Sequence, residues 1–282
     1  MAQSTIAVAS GKGGTGKTTV AVNLARVMGK VKFLDCDVEE PNAHLFLRPE
    51  IVERIPVCSP IPKVDESLCT YCGECARVCA YHAILVGNNV ALTFPELCHG
   101  CGGCALFCPT GAISEVDRDV GVVEIGEARE IEFVQGILNV KEPMAGPVIR
   151  AVKKYLSADK VNIIDCPPGT SCPMVEAIRD VDFLVLVTES TPFGLHDLRL
   201  AVATARLLKL PFGVIINRAG IGNSEIYDYL LSEKIEVLAE IPDDREVAGT
   251  YSRGGILVDE NKDYRLIFEQ LTDRLENFKI MS

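Results

Sequence analysis

Short runs rich in β-branched and apolar residues recur along the chain, at positions 6–9, 31–34, 161–164, 183–187, 212–216 and 235–238. Such runs look like buried strands of a parallel sheet. Between them the apolar positions take helical spacing. Val20, Leu24, Val27 and Met28 share one face, and Leu195, Leu198, Val202 and Ala205 share another. This alternation predicts a doubly wound, mostly parallel α/β domain.

From about Pro60 to Asp117 the rhythm stops, and the chain becomes rich in Cys and Gly with only short apolar pieces at 83–86 and 112–113. The pattern predicts a discontinuous main domain of residues 1–60 and 118–282 and a small α+β domain inserted at 61–117. An insert of that size, below roughly 70 to 80 residues, needs staples such as metals to hold a fold. Near the C-terminus Tyr264, Ile267, Phe268, Leu271, Leu275 and Phe278 fall on one helical face. Asp263, Glu269, Asp273 and Glu276 are interleaved with Arg265 and Arg274 on the other. A membrane-surface helix has a basic polar face, so this one is expected to dock on the sheet.

Composition narrows the class. With 39 acidic against 28 basic residues the formal charge is −11, which argues against nucleic acid and anionic membranes as partners. No apolar run approaches the roughly 18 to 20 residues of a membrane-spanning helix. Of 12 cysteines, eight lie between Cys69 and Cys108. Thiols bound to metal in a reducing cytoplasm fit this better than a secreted disulfide scaffold.

Residues 11–18, Gly-Lys-Gly-Gly-Thr-Gly-Lys-Thr, match GxxxxGK[ST] between a strand and an amphipathic helix. Gly11, Gly13, Gly14, Thr15 and Gly16 would wrap backbone amides around phosphates, with the positive end of a helix dipole behind them. Lys17 is expected at the β and γ phosphates, and the Thr18 hydroxyl on Mg²⁺, with Thr19 completing the loop. Acids also stand at two strand ends, Asp35 and Asp37 in one and Asp165 in the other. Strand ends of this kind bind ligands in doubly wound sheets, although an acid there can also cap a helix.

The run Lys12-Gly13-Gly14-x-Gly16-Lys17-Thr18 resembles the deviant Walker A motif of the MinD, ParA and nitrogenase iron protein superfamily. The resemblance implies ATP as ligand, with ADP after hydrolysis, and a homodimer formed on ATP binding, in which Lys12 reaches the other subunit's phosphates. Residues 34–42 resemble the first switch, making Asp37 the residue that orients the attacking water and Asp35 a supporting one. Residues 165–170, Asp-Cys-Pro-Pro-Gly-Thr, resemble the Walker B and second-switch segment of Mrp-type cluster scaffolds. That implies Asp165 on Mg²⁺ through water and Gly169 as the γ-phosphate sensor. Asn217 matches the adenine-contacting strand end, and Pro242 and Asp243 a base-binding loop. By the same likeness Cys172, seven residues after Asp165, stands where iron proteins hold a cluster between subunits; an inert buried thiol is the other reading.

Cys69, Cys72, Cys75 and Cys79 form CxxCxxCxxxC, and Cys98, Cys101, Cys104 and Cys108 repeat it. This is the pattern of two-cluster bacterial ferredoxins, in which the fourth ligand of each run serves the other cluster. The expected sets are Cys69, Cys72, Cys75 and Cys108 for one [4Fe-4S] cluster, and Cys98, Cys101, Cys104 and Cys79 for the second. Zinc, usually held by two CxxC pairs, is the competing metal. Ala80 departs from the pattern, which has Pro after the fourth Cys. His99 is placed to donate to a cluster sulfur, or is simply solvated.

The chain thus resembles MinD-superfamily ATPases carrying a ferredoxin insert. That implies a cytoplasmic, Mg-dependent ATPase whose nucleotide switch acts on electron transfer or cluster handling at a redox or metallocluster protein. Two alternatives are a cluster scaffold or carrier, and a positioning ATPase with structural clusters.

Overall fold

The computed structural model describes residues 4–222 and 224–280. In chain order these form β1 (Thr5–Ala9), α1 (Lys17–Met28), β2 (Val31–Asp35), α2 (Ala43–Leu47), β3 (Glu50–Val64), α3 (Glu74–Val78), β4 (Ile84–Gly87), β5 (Val90–Thr93), α4 (Gly103–Leu106), β6 (Ile113–Ala128), β7 (Ile131–Leu138), α5 (Gly146–Lys153), β8 (Val161–Asp165), α6 (Cys172–Ile178), β9 (Phe183–Glu189), α7 (Pro192–Leu207), β10 (Phe212–Ala219), α8 (Glu225–Ser232), β11 (Val237–Pro242), α9 (Arg245–Ser252), α10 (Leu257–Glu260) and α11 (Lys262–Ile280).

Nine strands make one sheet in the order β11-β10-β9-β1-β8-β2-β7-β6-β3. The pairings from β11 to β7 are parallel, and β6 and β3 add antiparallel partners at one edge. Successive side chains of a strand enter opposite layers. In β1, Ile6 and Val8 meet α1 and α11, whereas Ala7 and Ala9 meet the layer of α5, α6 and α7. The C-terminal helix docks as its apolar face predicts: Tyr264, Phe268, Leu271 and Leu275 are buried, and the Phe278 ring lies 4.7 Å from that of Phe183. Among the described residues no helix is long and apolar enough to cross a membrane.

The long pair β3 and β6 is the feature that the apolar runs do not announce. It pairs from Glu50 opposite Glu127 to Val64 opposite Ile113, with register shifts after Ile51 and after Val57, but only Gly121–Ala128 of β6 also pairs with β7. Beyond residue 121 the two strands leave the sheet as a ribbon and run unbroken through positions 60–61 and 117–118. The ribbon carries α3, the β4–β5 hairpin and α4. This outer segment has a small apolar centre, Cys75, Ile84 and Ile113, with Val64, Val86, Cys104, Ala105 and Cys108 around it.

Candidate functional site: a strand-end cleft and two thiol-lined hollows

At the carboxyl ends of the parallel strands lies a cleft of about 400 Å³, walled by Gly13, Gly14, Gly16, Lys17, Thr18, Thr19, Asp37 and Asn42 on one side. Asn217, Arg218, Pro242, Asp243, Val247 and Tyr251 form the other. The loop between β1 and α1 shapes its floor. Gly16 has φ +86° and an added Cβ would stand 2.2 Å from Asn217 Nδ2; at Gly11 it would stand 2.3 Å from the Asp197 carbonyl oxygen. The close approach at Gly16 serves a bond: Asn217 Nδ2 donates to the Thr15 carbonyl at 2.7 Å. This ties the end of β10 to the loop, while Gly169, with φ +87°, donates its N–H to Ser10 O.

Registry brings the acids together. Asp35 and Asp165 are Cα partners across β2 and β8, and the Cys36 N–H donates to the Asp165 carbonyl. Lys17 Nζ sits between Asp165 Oδ1 at 2.9 Å and Asp37 Oδ2 at 3.2 Å. Burial pulls its ammonium down, but Asp165 and then Asp37 outweigh that and hold the pKa above its ordinary value. Asp35 is wholly buried; burial, reinforced by Asp165, lifts its carboxyl well above the usual range against the opposing Lys17. Its two oxygens accept the N–H groups of Asp37 and Ala43, so Asp35 does cap α2, the role sequence reading left open. Asp37 is pushed up to about 6, by burial first, with Lys17 opposing and Asp165 adding to the rise. Asp165 Oδ2 is buried and without a hydrogen-bond partner. An orphaned carboxylate oxygen on the residue that pairs with Lys17 fits a divalent cation held through water, since an unmet buried acceptor is otherwise costly.

Lys12 is half-buried and ion-paired. Its Nζ is 3.2 Å from Glu189 Oε2, and Arg218 Nη1 donates to the other oxygen, Glu189 Oε1, at 2.6 Å. Glu189, an acid at the end of β9, carries no motif signal, whereas Arg218 follows Asn217 in the strand-end segment of β10.

The eight clustered cysteines divide by space rather than by run. Cys69, Cys72, Cys75 and Cys108 line one hollow, together with Val64, Val86 and Ile113. Cys79, Cys98, Cys101 and Cys104 line a second, with Pro62, Ile84, Tyr81 and His99. The fourth cysteine of each run thus lies with the opposite triplet. Among the described residues no three His, Cys, Asp or Glu side chains are grouped to hold a single metal ion. Four thiols around an apolar-walled hollow fit a cluster, whose ligands stand further apart than those of one zinc ion. Burial pushes the Cys75 and Cys104 thiols up. At Cys108 burial also acts upward, but the N–H and hydroxyl of Thr110 prevail and lower it. The His99 ring stacks on Tyr81 at 3.5 Å between centroids and stays exposed, as the solvated reading expects.

Of the other cysteines, Cys36 and Cys166 are fully buried and burial raises both thiols. Cys58 is exposed on β3. Cys172 opens α6 and is exposed, which removes the reading of it as an inert buried thiol.

A glycine loop leading from β1 into α1, with acids at two neighbouring strand ends, defines a P-loop nucleotide-binding protein. The chain belongs to the CobQ/CobB/MinD/ParA nucleotide-binding domain family, whose model matches residues 6–258. An uncharacterised protein of Methanocaldococcus jannaschii, MJ0578, is 29% identical over 279 residues, covering 97% of this chain and 96% of its own. An iron-sulfur cluster carrier protein of Methanococcus maripaludis is 26% identical over 225 residues; the match spans 76% of this chain and 60% of the carrier. In fold the chain is similar to the septum site-determining protein MinD of Pyrococcus horikoshii, solved with Mg-ADP. There the TM-score is 0.60 and the identity 20%, over 97% of this chain and 96% of that one.

Proposed function

We propose that this protein binds and hydrolyses MgATP, and that nucleotide-dependent pairing of two copies governs electron transfer or metallocluster handling by a cysteine-rich ferredoxin module formed by residues 61–117. The observation that carries the reading is the sorting of eight cysteines into two hollows by the crossed ferredoxin assignment, on a ribbon that continues two strands of the ATPase sheet.

The chain's own groups suit each part. Backbone amides of residues 13–18 receive the phosphates. Lys17 exchanges Asp37 and Asp165 for phosphate oxygens, leaving Thr18 and Asp165 for Mg²⁺ and Asp37 to orient water. Lys12 would leave Glu189 for the partner copy's phosphates, and Asn217, Pro242 and Asp243 border the base. Cys69, Cys72, Cys75 and Cys108 would hold one [4Fe-4S] cluster and Cys79, Cys98, Cys101 and Cys104 the other. Such groups, when bound, supply one-electron redox chemistry. The switch reaches the ribbon through the end of β7: Val38 accepts the Leu138 N–H, the next residue, Asn139, donates to Val120 and Asp119, and Arg118 pairs with Glu142 at 2.7 Å.

The test is an anaerobic redox titration of reconstituted protein with and without MgATP, after counting iron and acid-labile sulfide. A potential shift above about 30 mV, roughly 0.7 kcal/mol for one electron, supports gated electron transfer. Identical titrations in both states favour a second reading, delivery of a cluster to apo-proteins. That reading draws on the 26% likeness to a cluster carrier and on the exposed Cys172, here taken as an intersubunit metal ligand. Under either reading the protein works in the cytoplasm, without nucleic acid or stable membrane contact.

A further inference from the structure

The two hollows are not equivalent in position. Pro62 and Glu115 wall the Cys79 set, and Gly100 beside it lies against Ser59 and Pro60, nearer the sheet. Val64 and Ile113, the last pair of the ribbon, wall the Cys69 set, which therefore lies at the outer end. Leu68 precedes Cys69, and Leu106 and Phe107 precede Cys108. The two segments are joined where the Asp65 N–H donates to Ala112 O at 2.7 Å. All three side chains are open to solvent, Leu68 at 51%, Leu106 at 80% and Phe107 at 56%. Large apolar residues left open next to two cysteines of the same set mark a contact surface, since burying them on a partner removes apolar area from water.

Charge says which partner. Residues 61–117 contain two basic residues, Lys63 and Arg77, against the acids Asp65, Glu66, Glu74, Glu96, Glu115 and Asp117, and Arg77 is already paired with Glu74 at 2.6 Å. Thiolates holding clusters add further negative charge. A second copy, with the same acidic tip and a net charge of −11, would be repelled there. Complementarity calls for a protein with a lysine- or arginine-rimmed apolar face.

Resting on the proposed cluster sites, we infer that Leu68, Leu106 and Phe107 form the docking face for a cationic redox protein, which meets the chain at the outer thiol set rather than at the one next to the sheet.

The probe is zinc-substituted cytochrome c, a redox-inert protein whose porphyrin edge is ringed by lysines. Its binding to the full, cluster-loaded chain is read as Kd from porphyrin fluorescence at two salt concentrations. Leu106→Ser with Phe107→Ser is expected to raise Kd at least about tenfold at unchanged iron content. Leu207→Ser, removing an 82% exposed leucine of α7, leaves Kd within about twofold. Glu66→Gln, three residues before Cys69, weakens binding and flattens its salt dependence. A double apolar variant with full iron that binds like the parent overturns the docking face and leaves the clusters standing. A parent chain that takes up no iron overturns the cluster reading itself, and the inference with it. Self-association of the parent that the double variant abolishes assigns the face to a second copy and also overturns the proposal.

Discussion

Lys12 Nζ and Glu189 Oε2 stand 3.2 Å apart, so the lysine that would act on a partner copy is held within its own chain. The glutamate side chain is nearly buried and also bound by Arg218, whereas the lysine remains about one-third exposed. Glu189 is thus a fixed anchor and Lys12 the mobile member. In the proposed pairing of two copies around ATP, this contact would have to break before Lys12 could reach across.

Releasing the lysine should therefore favour the pair. Glu189→Gln keeps the shape of the side chain and removes its charge. An ion pair with one exposed member is worth about 0.2–1 kcal/mol. The MgATP-dependent dissociation constant of the homodimer, measured by sedimentation, is expected to fall a few-fold. A constant that is unchanged or higher would show that Glu189 does not restrain Lys12.

Glycine at position 16 answers to two constraints at once, a left-handed φ and the Asn217 amide 2.2 Å from where a Cβ would be. Gly16→Ala should displace Asn217, break its bond to Thr15 and turn the loop amides away from the phosphates. ATP affinity, by calorimetry, is expected to fall at least about tenfold, with a loss of stability above the roughly 1 kcal/mol typical of a strained backbone position. Asn217→Ala relieves the clash but not the φ, so the double variant should remain impaired.

The parallel core was legible because its central apolar runs are buried on both faces, as in β9, where all seven residues are buried. Strands β3, β6 and β7 were hidden by their polar content. β3 contains Pro56, Pro60 and Pro62 and is exposed along much of its length, as suits an edge strand. Within β6 and β7 the buried side chains of Glu124 and Gln135 bond to each other across the pair at 2.5 Å, so a polar pair occupies the place of an apolar run. The phosphate loop and the eight cysteines carried their chemistry in spacing. Glu189 had none to offer: its partner Lys12 lies on another strand's loop, and only the fold brings them together.

Asp37 makes a pH prediction in the nucleotide- and Mg²⁺-free protein. Its carboxyl titrates near 6 in the folded chain, raised by burial and by Asp165 and Glu40 despite Lys17, against about 3.9 when unfolded. Between those values the folded state binds the extra proton, so this group's contribution to stability grows as pH falls through 6 and is lost as pH rises. Asp37→Asn removes the buried charge. Its stability gain over the parent in urea is expected to be larger at pH 7 than at pH 5. A gain independent of pH would place the titration elsewhere.

Cys79 and Cys108 decide how the thiols pair. Each lies in sequence with one triplet and in space with the other, Cys79 beside Cys98, Cys101 and Cys104, and Cys108 beside Cys69, Cys72 and Cys75. If the hollows hold the clusters, Cys79→Ala should disturb the same paramagnetic signal as Cys98→Ala and spare the one lost in Cys69→Ala, with Cys108→Ala behaving oppositely. Because residues that share one cluster act as a unit, Cys79→Ala combined with Cys98→Ala should cost little more iron than either alone. Cys79→Ala combined with Cys108→Ala, which strikes both hollows, should cost about the sum of the two. A Cys79→Ala spectrum that matches Cys69→Ala would mean that the runs bind as the chain is written, against the way the ribbon folds them.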